Sequence, residues 1–487
     1  MDHSRVPVLE ALRRFRRRGD VVYGPPGHKQ GRGVDPRVLE VLGEDLFRAD
    51  VLSLNGLDDR RKSQGVIAQA QELMADAVGA EHAFFSTCGS SLSVKTAMLA
   101  VAGPGEKLLV SRNAHKSVIA AVIVNGVEPV WVHPRWDPGR QLAHPPEADD
   151  VRRRLQAHPD AKGMLLITPT DWGSCADIRR VADTCHAYDV PLIVDEAWGA
   201  HLPFHPELPA WGMDAGADLV VTSVHKMGGA IERSSVFHLQ GDRVSPEVLR
   251  QRQDLLDTTS PSSLVYATLD GWRRQMAEHG RDLLGTALRR AGRVREAVAA
   301  LPGLRLLDDA VVREGLTAEI DPLKITVDVR ELGVSGMQAA EWMRAEHHVD
   351  VGAADTCRIS AVLTHADDDR TERVLCEALR ALVDSAGGME PPRPVALPEP
   401  GALELEQAML PRDAFFGEAE HVPAEKAVGR VSAETISPYP PGVPAVAPGE
   451  VITREVVDYL CGGVAAGMLL PDAADGSLET FRVVADR

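Results

Sequence analysis

Helical and strand patterns of apolar residues alternate along residues 65–255. Apolar residues recur at the spacing of an amphipathic helix in three segments, 65–79, 115–125 and 147–158. Short apolar runs predict buried strands at 83–86, 107–110, 128–132, 163–167, 190–194 and 218–222. Such alternation is typical of a largely parallel sheet with helices on both faces, so the pattern predicts an α/β fold.

The first 285 residues are predicted to form an N-terminal arm and one large domain. Residues 1–30 contain a short amphipathic helix, because an apolar stripe runs between the arginines at Val8, Leu9, Leu12 and Phe15. No apolar targeting core follows this stripe, which argues against a signal peptide. The large domain covers 31–285 and ends in a long helix, about 262–300, that starts next to Pro261 as helix capping favours.

Two smaller domains are predicted after the large one. Residues 286–386 carry the pattern of a smaller α/β domain, with elements near 324–329, 336–346 and 366–385. A Gly- and Pro-rich stretch at 387–394 is typical of a linker. The remaining residues, 400–487, are predicted to form a small C-terminal domain.

Composition and charge narrow the possible functions. The chain has 487 residues, of which 44% are hydrophobic, enough for two or three packed domains. A net charge of −18 argues against nucleic acid or an anionic membrane as the partner. No CxxC pair occurs among the six cysteines, which predicts neither a disulfide framework nor a metal site and indicates the reducing cytoplasm. No apolar run is long enough to span a membrane.

The residues with the most informative spacing are Asp195 and Lys226. Asp195 ends the apolar run 190–194, and Lys226 follows the run 218–222. Neighbouring strands would bring both side chains to one sheet edge, where α/β folds bind ligands. An amine and a carboxylate placed together suit pyridoxal 5′-phosphate (PLP), since the lysine forms the Schiff base and the carboxylate keeps the pyridine nitrogen protonated. The alternative is a helix-capping Asp195 and a surface Lys226.

Three further clusters follow strands of the same predicted sheet. Ser90 and Ser91 stand after Gly89 where a strand turns into a helix, and such a turn offers hydroxyls and free amides to a phosphate. The same turn is also compatible with an ordinary N-cap serine. Ser223 and His225 flank Lys226 closely enough to donate to the same phosphate. His115 begins a helix, where it can stack on a pyridine ring or simply cap that helix.

Ten short stretches extend these clusters over nearly the whole chain. They are PPGHK at 25–29, GLDD at 56–59, CGSS at 88–91, RNAHKS at 112–117, DEA at 195–197, GAH at 199–201, SVHK at 223–226, TSPS at 259–262, PYPPGVP at 438–444 and PGE at 448–450. Taken in this order, the stretches resemble the Orn/Lys/Arg decarboxylases of the PLP-dependent, fold-type I superfamily. The similarity is closest to the compact biosynthetic members, and it implies a transferase-like large domain with a mostly parallel sheet.

The resemblance implies a role for each matching side chain. Lys226 would carry PLP, Asp195 would pair with the pyridinium, and His115 would stack on the ring. Ala197 would pack beneath the opposite face of the ring. The remaining cofactor contacts would be made to the phosphate by Ser90, Ser91, Ser223 and His225, with Ser260 reaching the phosphate of a partner subunit. The resemblance therefore also implies a homodimer with shared active sites.

The substrate implied by the resemblance is a basic amino acid. Arginine, giving agmatine, is the first choice, followed by lysine (cadaverine) and ornithine (putrescine). Glu434 is a candidate for binding the distal cation, although it could equally be a surface glutamate of the C-terminal domain. Departures from the family pattern put substrate preference in doubt, and they are Leu52-Ser53 for Thr-Glu, Val94 for Asn and Trp198 for His. Trp198 is included as a candidate substrate contact for this reason.

Two other functions remain open from the sequence. Arg358 lies on a predicted strand and resembles the arginine that binds the α-carboxylate in fold-type I aminotransferases. A carboxylate held in that way favours proton loss over CO₂ loss, so transamination is the main alternative. A regulator that has kept the fold without the chemistry is the second alternative, which the intact Lys226, Asp195 and His115 disfavour.

Overall fold

The structure is a computed structural model that describes residues 1–52, 65–395, 401, 404–438 and 442–486. Its helices are α1 (Pro7–Arg18), α2 (Pro36–Leu42), α3 (Glu44–Ala49), α4 (Val66–Val78), α5 (Ser90–Val101), α6 (Lys116–Asn125), α7 (Ala148–Ala157), α8 (Ile178–Ala187), α9 (Val224–Met227), α10 (Pro246–Leu256), α11 (Ser263–Ala299), α12 (Ala310–Arg313), α13 (Gly336–His347), α14 (Asp369–Ser385), α15 (Pro411–Phe416), α16 (Ala424–Ala427) and α17 (Arg454–Ala465).

The strands are β1 (His82–Ser86), β2 (Lys107–Ser111), β3 (Glu128–Val132), β4 (Arg135–Asp137), β5 (Leu142–His144), β6 (Met164–Ile167), β7 (Ser174–Cys175), β8 (Leu192–Asp195), β9 (Leu219–Ser223), β10 (Ser235–Leu239), β11 (Arg305–Leu306), β12 (Glu319–Ile320), β13 (Lys324–Asp328), β14 (Ala353–Ala354), β15 (Arg358–Val362), β16 (Ala419–Pro423) and β17 (Thr480–Val484). Each helix and strand predicted from the apolar pattern lies within a few residues of one of these elements.

The chain forms two compact units, and each unit is assembled from separate segments. The first unit combines Met1–Ala100 with Ile193–Leu284, and the second combines Val101–Leu192 with Gly285–Arg487. The domain boundaries predicted from the sequence follow the chain in a linear order, and they stay predictions.

The first unit contains buried strands in the order β1-β10-β9-β8. β8 and β9 run parallel, whereas β10 runs antiparallel to both β9 and β1. Every residue of β9 and β10 is buried, which explains why β9 reads as one continuous apolar run. The sequence did not predict β10, because Ser235 and His238 interrupt its apolar residues. Ser235 is nevertheless accommodated, since its hydroxyl donates to the Thr222 carbonyl at 2.7 Å.

The predicted N-terminal amphipathic helix is confirmed as α1, which buries Val8, Leu12 and Phe15. A buried ion pair on α11, Asp270 with Arg273 at 2.7 Å, receives the start of this helix. The Val8 amide donates to Asp270 at 2.9 Å, and Arg273 donates to the carbonyls of the residues just before α1. By contrast, α2 and α3 bury none of their residues.

The second unit contains parallel strands in the order β6-β2-β3 and a smaller antiparallel sheet in the order β11-β13-β15-β14. The predicted strand 324–329 is β13, and α13 and α14 are the two predicted helices of this region. The C-terminal residues add a two-stranded sheet of β16 and β17 with α17 and have an apolar core of their own that includes Ile436, Val446, Leu460, Phe481 and Val483. Among the described residues, no helix is long and apolar enough to cross a membrane.

Candidate active site

Two neighbouring parallel strands of the first unit place Asp195 and Lys226 as the sequence predicted. Asp195 is the last residue of β8 and pairs with Val221 of β9. Lys226 lies on α9, which begins immediately after β9. The ammonium nitrogen of Lys226 is 4.4 Å from the ring centroid of Trp198, three residues beyond Asp195. The chain segments that follow β8 and β9 therefore meet at one edge of the sheet.

Backbone hydrogen bonds hold the residues after β8 against β9. The Glu196 amide donates to the Val221 carbonyl at 2.8 Å, and the Ser223 amide donates to the Ala197 carbonyl at 3.3 Å. The Asp195 carboxylate is buried and accepts the Ala197 amide at 3.2 Å. These contacts fix the direction in which Asp195 leaves the strand and keep the small Ala197 side chain next to it.

Glu196 is a site residue that the sequence analysis did not single out. Its side chain is fully buried, Oε2 accepts the Gly212 amide at 3.3 Å, and Oε1 has no hydrogen-bond partner among the described residues. Burial raises the pKa of the Glu196 carboxyl well above its usual value, and the nearby charge of Asp195 acts in the same direction. Burial therefore favours the protonated, neutral form of the Glu196 carboxyl.

Two glycines make room for the Glu196 side chain. A Cβ atom on Gly199 would lie 2.5 Å from the Glu196 Cγ. A Cβ atom on Gly212 would lie 3.2 Å from Glu196 Oε2 and 2.7 Å from a methyl carbon of Val220. The DEA-x-GA stretch matched in the sequence thus has a packing reason, since any larger residue at 199 would displace Glu196.

The predicted anion site is partly assembled at the start of α5. Gly89 has the positive φ of 79° that the turn requires, and its amide donates to the Arg233 carbonyl at 3.0 Å. The Ser223 hydroxyl donates to the Ser90 hydroxyl at 2.5 Å, so two of the predicted phosphate contacts are adjacent. Ser91 is the second residue of α5, and its side chain is exposed.

His225 lies on α9 with its Nδ1 at 3.2 Å from the Ser234 carbonyl. A carbonyl only accepts, so Nδ1 carries the proton, and the neutral ring presents Nε2 as an acceptor. Burial lowers the pKa of His225, with a further contribution from the charge of Lys226. The predicted donation from His225 to a phosphate would therefore use the doubly protonated ring, which a bound dianion would favour. Ser260 is exposed just before α11, and its predicted contact with a partner subunit stays a prediction.

His115 belongs to the second unit, where it caps α6. Its Nδ1 accepts the Ser117 amide at 3.2 Å and lies 2.9 Å from the Ser117 hydroxyl. The capping role considered from the sequence is therefore real. Because Nδ1 is the acceptor, Nε2 carries the proton of the neutral ring. Stacking of the ring on a cofactor is compatible with this contact and stays a prediction.

Glu434 is buried in the C-terminal domain instead of lying on its surface. Its two carboxylate oxygens accept the amides of Arg482 and Ala474, each at 2.6 Å. Burial raises the pKa of Glu434, partly offset by these amides. The two oxygens thus join the segment at 434 to β17 and to the loop at 474, so the geometry favours a structural role over contact with a substrate cation.

Arg358, the residue on which the aminotransferase alternative depends, is already engaged. Its guanidinium pairs with Asp355 at 3.0 Å, donates to the Gln141 carbonyl at 2.7 Å and lies 5.3 Å from the ring centroid of Trp172. These residues line a cavity of about 290 Å³ within the second unit. Its lining residues also include Trp136, Tyr459, Asp171 and Glu404.

Two of the three departures from the family pattern can be placed. Val94 is completely buried within α5, so it packs in the core of the first unit. Trp198 faces Lys226, which makes it a candidate contact of the site. Ser53 lies outside the described residues, as does the matched stretch 56–59.

A lysine and a carboxylate presented by neighbouring parallel strands, with a hydroxyl-lined helix start beside them, define an enzyme of the fold-type I class. Comparison with known proteins identifies the family. Residues 6–371 match the model of the Orn/Lys/Arg decarboxylase major domain, and residues 401–471 match that of the Orn/Lys/Arg decarboxylase C-terminal domain. The chain belongs to the Orn/Lys/Arg decarboxylase family and is a decarboxylase.

Individual relatives agree with this assignment. An arginine decarboxylase of Halalkalibacterium halodurans is 38% identical over 482 residues, covering 99% of this chain and 98% of the relative. An arginine decarboxylase of Bacillus subtilis is 35% identical over 490 residues, covering 100% and 99%. The crystal structure of the Francisella novicida lysine decarboxylase LdcF superimposes with a TM-score of 0.80 at 20% identity, over 99% of this chain and 81% of that one. The predicted family and fold class are confirmed, and the aminotransferase alternative is not favoured.

Proposed function

We propose that this protein decarboxylates arginine to agmatine and CO₂ with PLP as its cofactor, and that lysine and ornithine are poorer substrates. The observation that carries the proposal is the placement of Lys226 beside the turn that follows Asp195, next to the Ser90–Ser223 hydroxyl pair. The full-length relatives named arginine decarboxylase support arginine over the other basic amino acids.

The donors of the first unit fit PLP chemically. A dianionic phosphate needs hydroxyls and a helix N-terminus, which Ser90, Ser91 and Ser223 supply around the start of α5. An aldehyde needs a primary amine, which Lys226 supplies, and a pyridine nitrogen needs a carboxylate, which Asp195 supplies. When bound, PLP accepts the electron pair that is left when the substrate carboxylate departs as CO₂.

The chain itself contributes charge, orientation and shape. Asp195 keeps a proton on the ring nitrogen, because a charge pair about 4 Å apart is worth roughly 4 kcal/mol at an effective dielectric of about 20. Burial favours the neutral form of Glu196, which limits any competing charge beside Asp195. Ala197 leaves space for a flat ring where a larger side chain would collide. Once the substrate amine has displaced it, Lys226 Nζ would deliver the proton that replaces the departing carboxylate on the α-carbon of the substrate.

The proposal includes a homodimer in the cytoplasm. Its support is the apolar surface of α2 and α3, where Val41 and Leu42 are 81% and 52% exposed. Val38 and Leu46 are exposed on the same two helices. All six cysteines are free thiols, which agrees with a reducing compartment.

The deciding experiment is product identification by mass spectrometry with the purified, PLP-loaded protein. Arginine, lysine and ornithine are supplied separately, and we expect agmatine with one equivalent of CO₂ as the main product. Lys226→Ala should form no amine, because it removes the primary amine that holds the cofactor. Lys426→Ala, an exposed lysine of the C-terminal domain, is the matched control and should behave as the unaltered protein. Cadaverine or putrescine as the main product would overturn the substrate choice, and no amine from any of the three would overturn the function.

A further inference from the structure

The segment that carries His115 is bound by residues of the C-terminal domain. Arg112, three residues before His115, forms a two-pronged ion pair with Glu450, at 3.2 Å from Nε to Oε1 and 3.0 Å from Nη2 to Oε2. The two side chains are only 7% and 1% exposed. Arg112 also donates to the Pro444 carbonyl at 2.6 Å. Both partners lie in the second unit.

A second set of contacts holds the other side of His115. The Lys116 amide donates to the Gly442 carbonyl at 3.1 Å, and the Lys116 ammonium pairs with Asp472 at 2.8 Å. The residues on either side of His115 are therefore fixed to the 442–450 loop and to Asp472, while His115 itself makes its cap contact with Ser117.

The ion pair between Arg112 and Glu450 is better suited to fix the relative orientation of two chain segments than to stabilise the fold. A buried pair stabilises a fold little more than well-packed apolar residues would, because both charges lose their hydration. A bidentate guanidinium–carboxylate contact, however, fixes the angle between two chain segments. Glu450 is fixed in turn by the Ala447 amide at 2.8 Å, and the Arg112 guanidinium lies 5.2 Å from the ring centroid of Trp131. Arg112 and Glu450 therefore each have a further contact besides their contact with one another.

We propose that Arg112 and Glu450 are positioning residues, and that they fix the direction of the His115 imidazole for the stacking on PLP that the family resemblance implies. The 442–450 loop of the C-terminal domain would then set the orientation of His115. The inference rests on the proposed function, because it takes PLP binding and contact by His115 as given. It explains why the RNAHKS and PGE stretches occur together in a chain where they are more than 300 residues apart.

The test is a double-mutant cycle with Glu450→Gln and His115→Ala, read by the affinity for PLP and by the visible circular dichroism of the bound cofactor. In the unaltered background, Glu450→Gln should raise the PLP dissociation constant about tenfold, which is about 1.4 kcal/mol at 25 °C. In the His115→Ala background the same change should raise it less than twofold, because the group being positioned is gone. The dichroism band should change in the first background and stay constant in the second.

Glu420→Gln is the matched control, because it breaks the exposed pair with Arg430 in the same domain and should leave both readouts unchanged. Equal effects of Glu450→Gln in the two backgrounds would show a purely structural pair and overturn the inference. Unaltered protein without a visible cofactor band would instead overturn the proposed function, and the inference with it.

A second variant covers the case in which Glu450→Gln does not fold. Arg112→Lys keeps a positive charge opposite Glu450 but removes the two-pronged geometry, so the chain should fold while the direction of the segment is lost. In the same cycle, Arg112→Lys should raise the PLP dissociation constant strongly when His115 is present and only slightly in the His115→Ala background. Additive changes would overturn the inference.

Discussion

At the scale of single residues, the end of β8 places the carboxyl groups of Asp195 and Glu196 in different surroundings. Successive side chains of a strand point to opposite faces, so adjacent acids enter different surroundings. Asp195 is held by the turn that follows it, whereas the Glu196 side chain is buried between Gly199 and Gly212. The first is suited to carry charge, and the second is suited to remain neutral.

Because the pKa of Glu196 is raised, we expect the free energy of unfolding to depend on pH. Between the ordinary pKa and the raised one, the folded state keeps a proton that the unfolded state has lost, so stability falls as pH rises, by up to about 1.4 kcal/mol per pH unit. Glu196→Gln removes this dependence. The free energy of unfolding of the variant, relative to the unaltered protein, should therefore increase with pH above about 4.5.

Urea unfolding at several pH values between 5 and 7 measures this difference. Glu247→Gln is a suitable control, since Glu247 is exposed and its pKa is lowered by its hydrogen bond with Ser245. Parallel pH profiles for Glu196→Gln and the unaltered protein would mean that Glu196 is ionised in the folded state.

The sequence predicted part of the site because strand ends converge. Asp195, Lys226, Ser90 and Ser223 could each be placed by the strand that precedes them. The surroundings of Glu434 could not be predicted, because they depend on amides 40 and 48 positions later that only the folded C-terminal domain brings together. The burial of Glu196 could not be predicted for a similar reason, since the pocket around its side chain includes Gly212 from another loop.

At the scale of elements, α9 is the short helix that carries Lys226 between two paired strands. β9 and β10 are in register from Ser223 and Ser235 onwards, so both ends of the intervening connection are fixed. α9 ends at Gly228, where a Cβ atom would lie 2.6 Å from the Trp272 ring and 2.7 Å from the Val224 carbonyl. The position of Lys226 therefore depends on the absence of one methyl group.

Gly228→Ala should displace α9 and weaken PLP binding by at least about tenfold, because overpacking of this kind costs roughly 1–3 kcal/mol. The comparison variant is Gly292→Ala on α11, where nothing lies within 4 Å of the added carbon. That change should stabilise the protein by about 0.5–1 kcal/mol and leave PLP affinity unchanged. Titration with PLP and thermal unfolding of both variants measure the two effects. Unchanged PLP affinity in Gly228→Ala would show that Trp272 yields instead of α9.

The elements that the sequence missed differ from those it predicted in a physical way. β6, β8 and β9 are continuous apolar runs because they are buried on both faces. β10 includes Ser235 and His238, whose polar groups are buried by tertiary packing that the local sequence does not reveal. α2 and α3 are short, and none of their apolar residues is fully buried, so no inward-facing stripe marks them.

At the scale of the whole molecule, we expect the apolar surface of α2 and α3 to form a contact between subunits. Val41→Glu with Leu42→Glu places two charges on this surface, where a subunit contact would bury them without partners. We expect the proposed homodimer to dissociate more readily, with a dissociation constant raised several-fold, measured by analytical ultracentrifugation. Leu255→Glu, at an exposed leucine of α10, is the control. A dimer equally stable in both variants would exclude α2 and α3 from the interface.

The interleaved composition of the two units has a consequence for synthesis on the ribosome. β1 ends at Ser86, but β10, with which it pairs, begins only at Ser235, after the intervening segment of the second unit. At about 5–20 residues per second, roughly 8–30 s pass between the synthesis of Ser86 and that of Leu239, the last residue of β10. Throughout that interval the edge of β1 that pairs with β10 has no native strand partner. We therefore expect this strand to be the part of the nascent chain that most needs a chaperone.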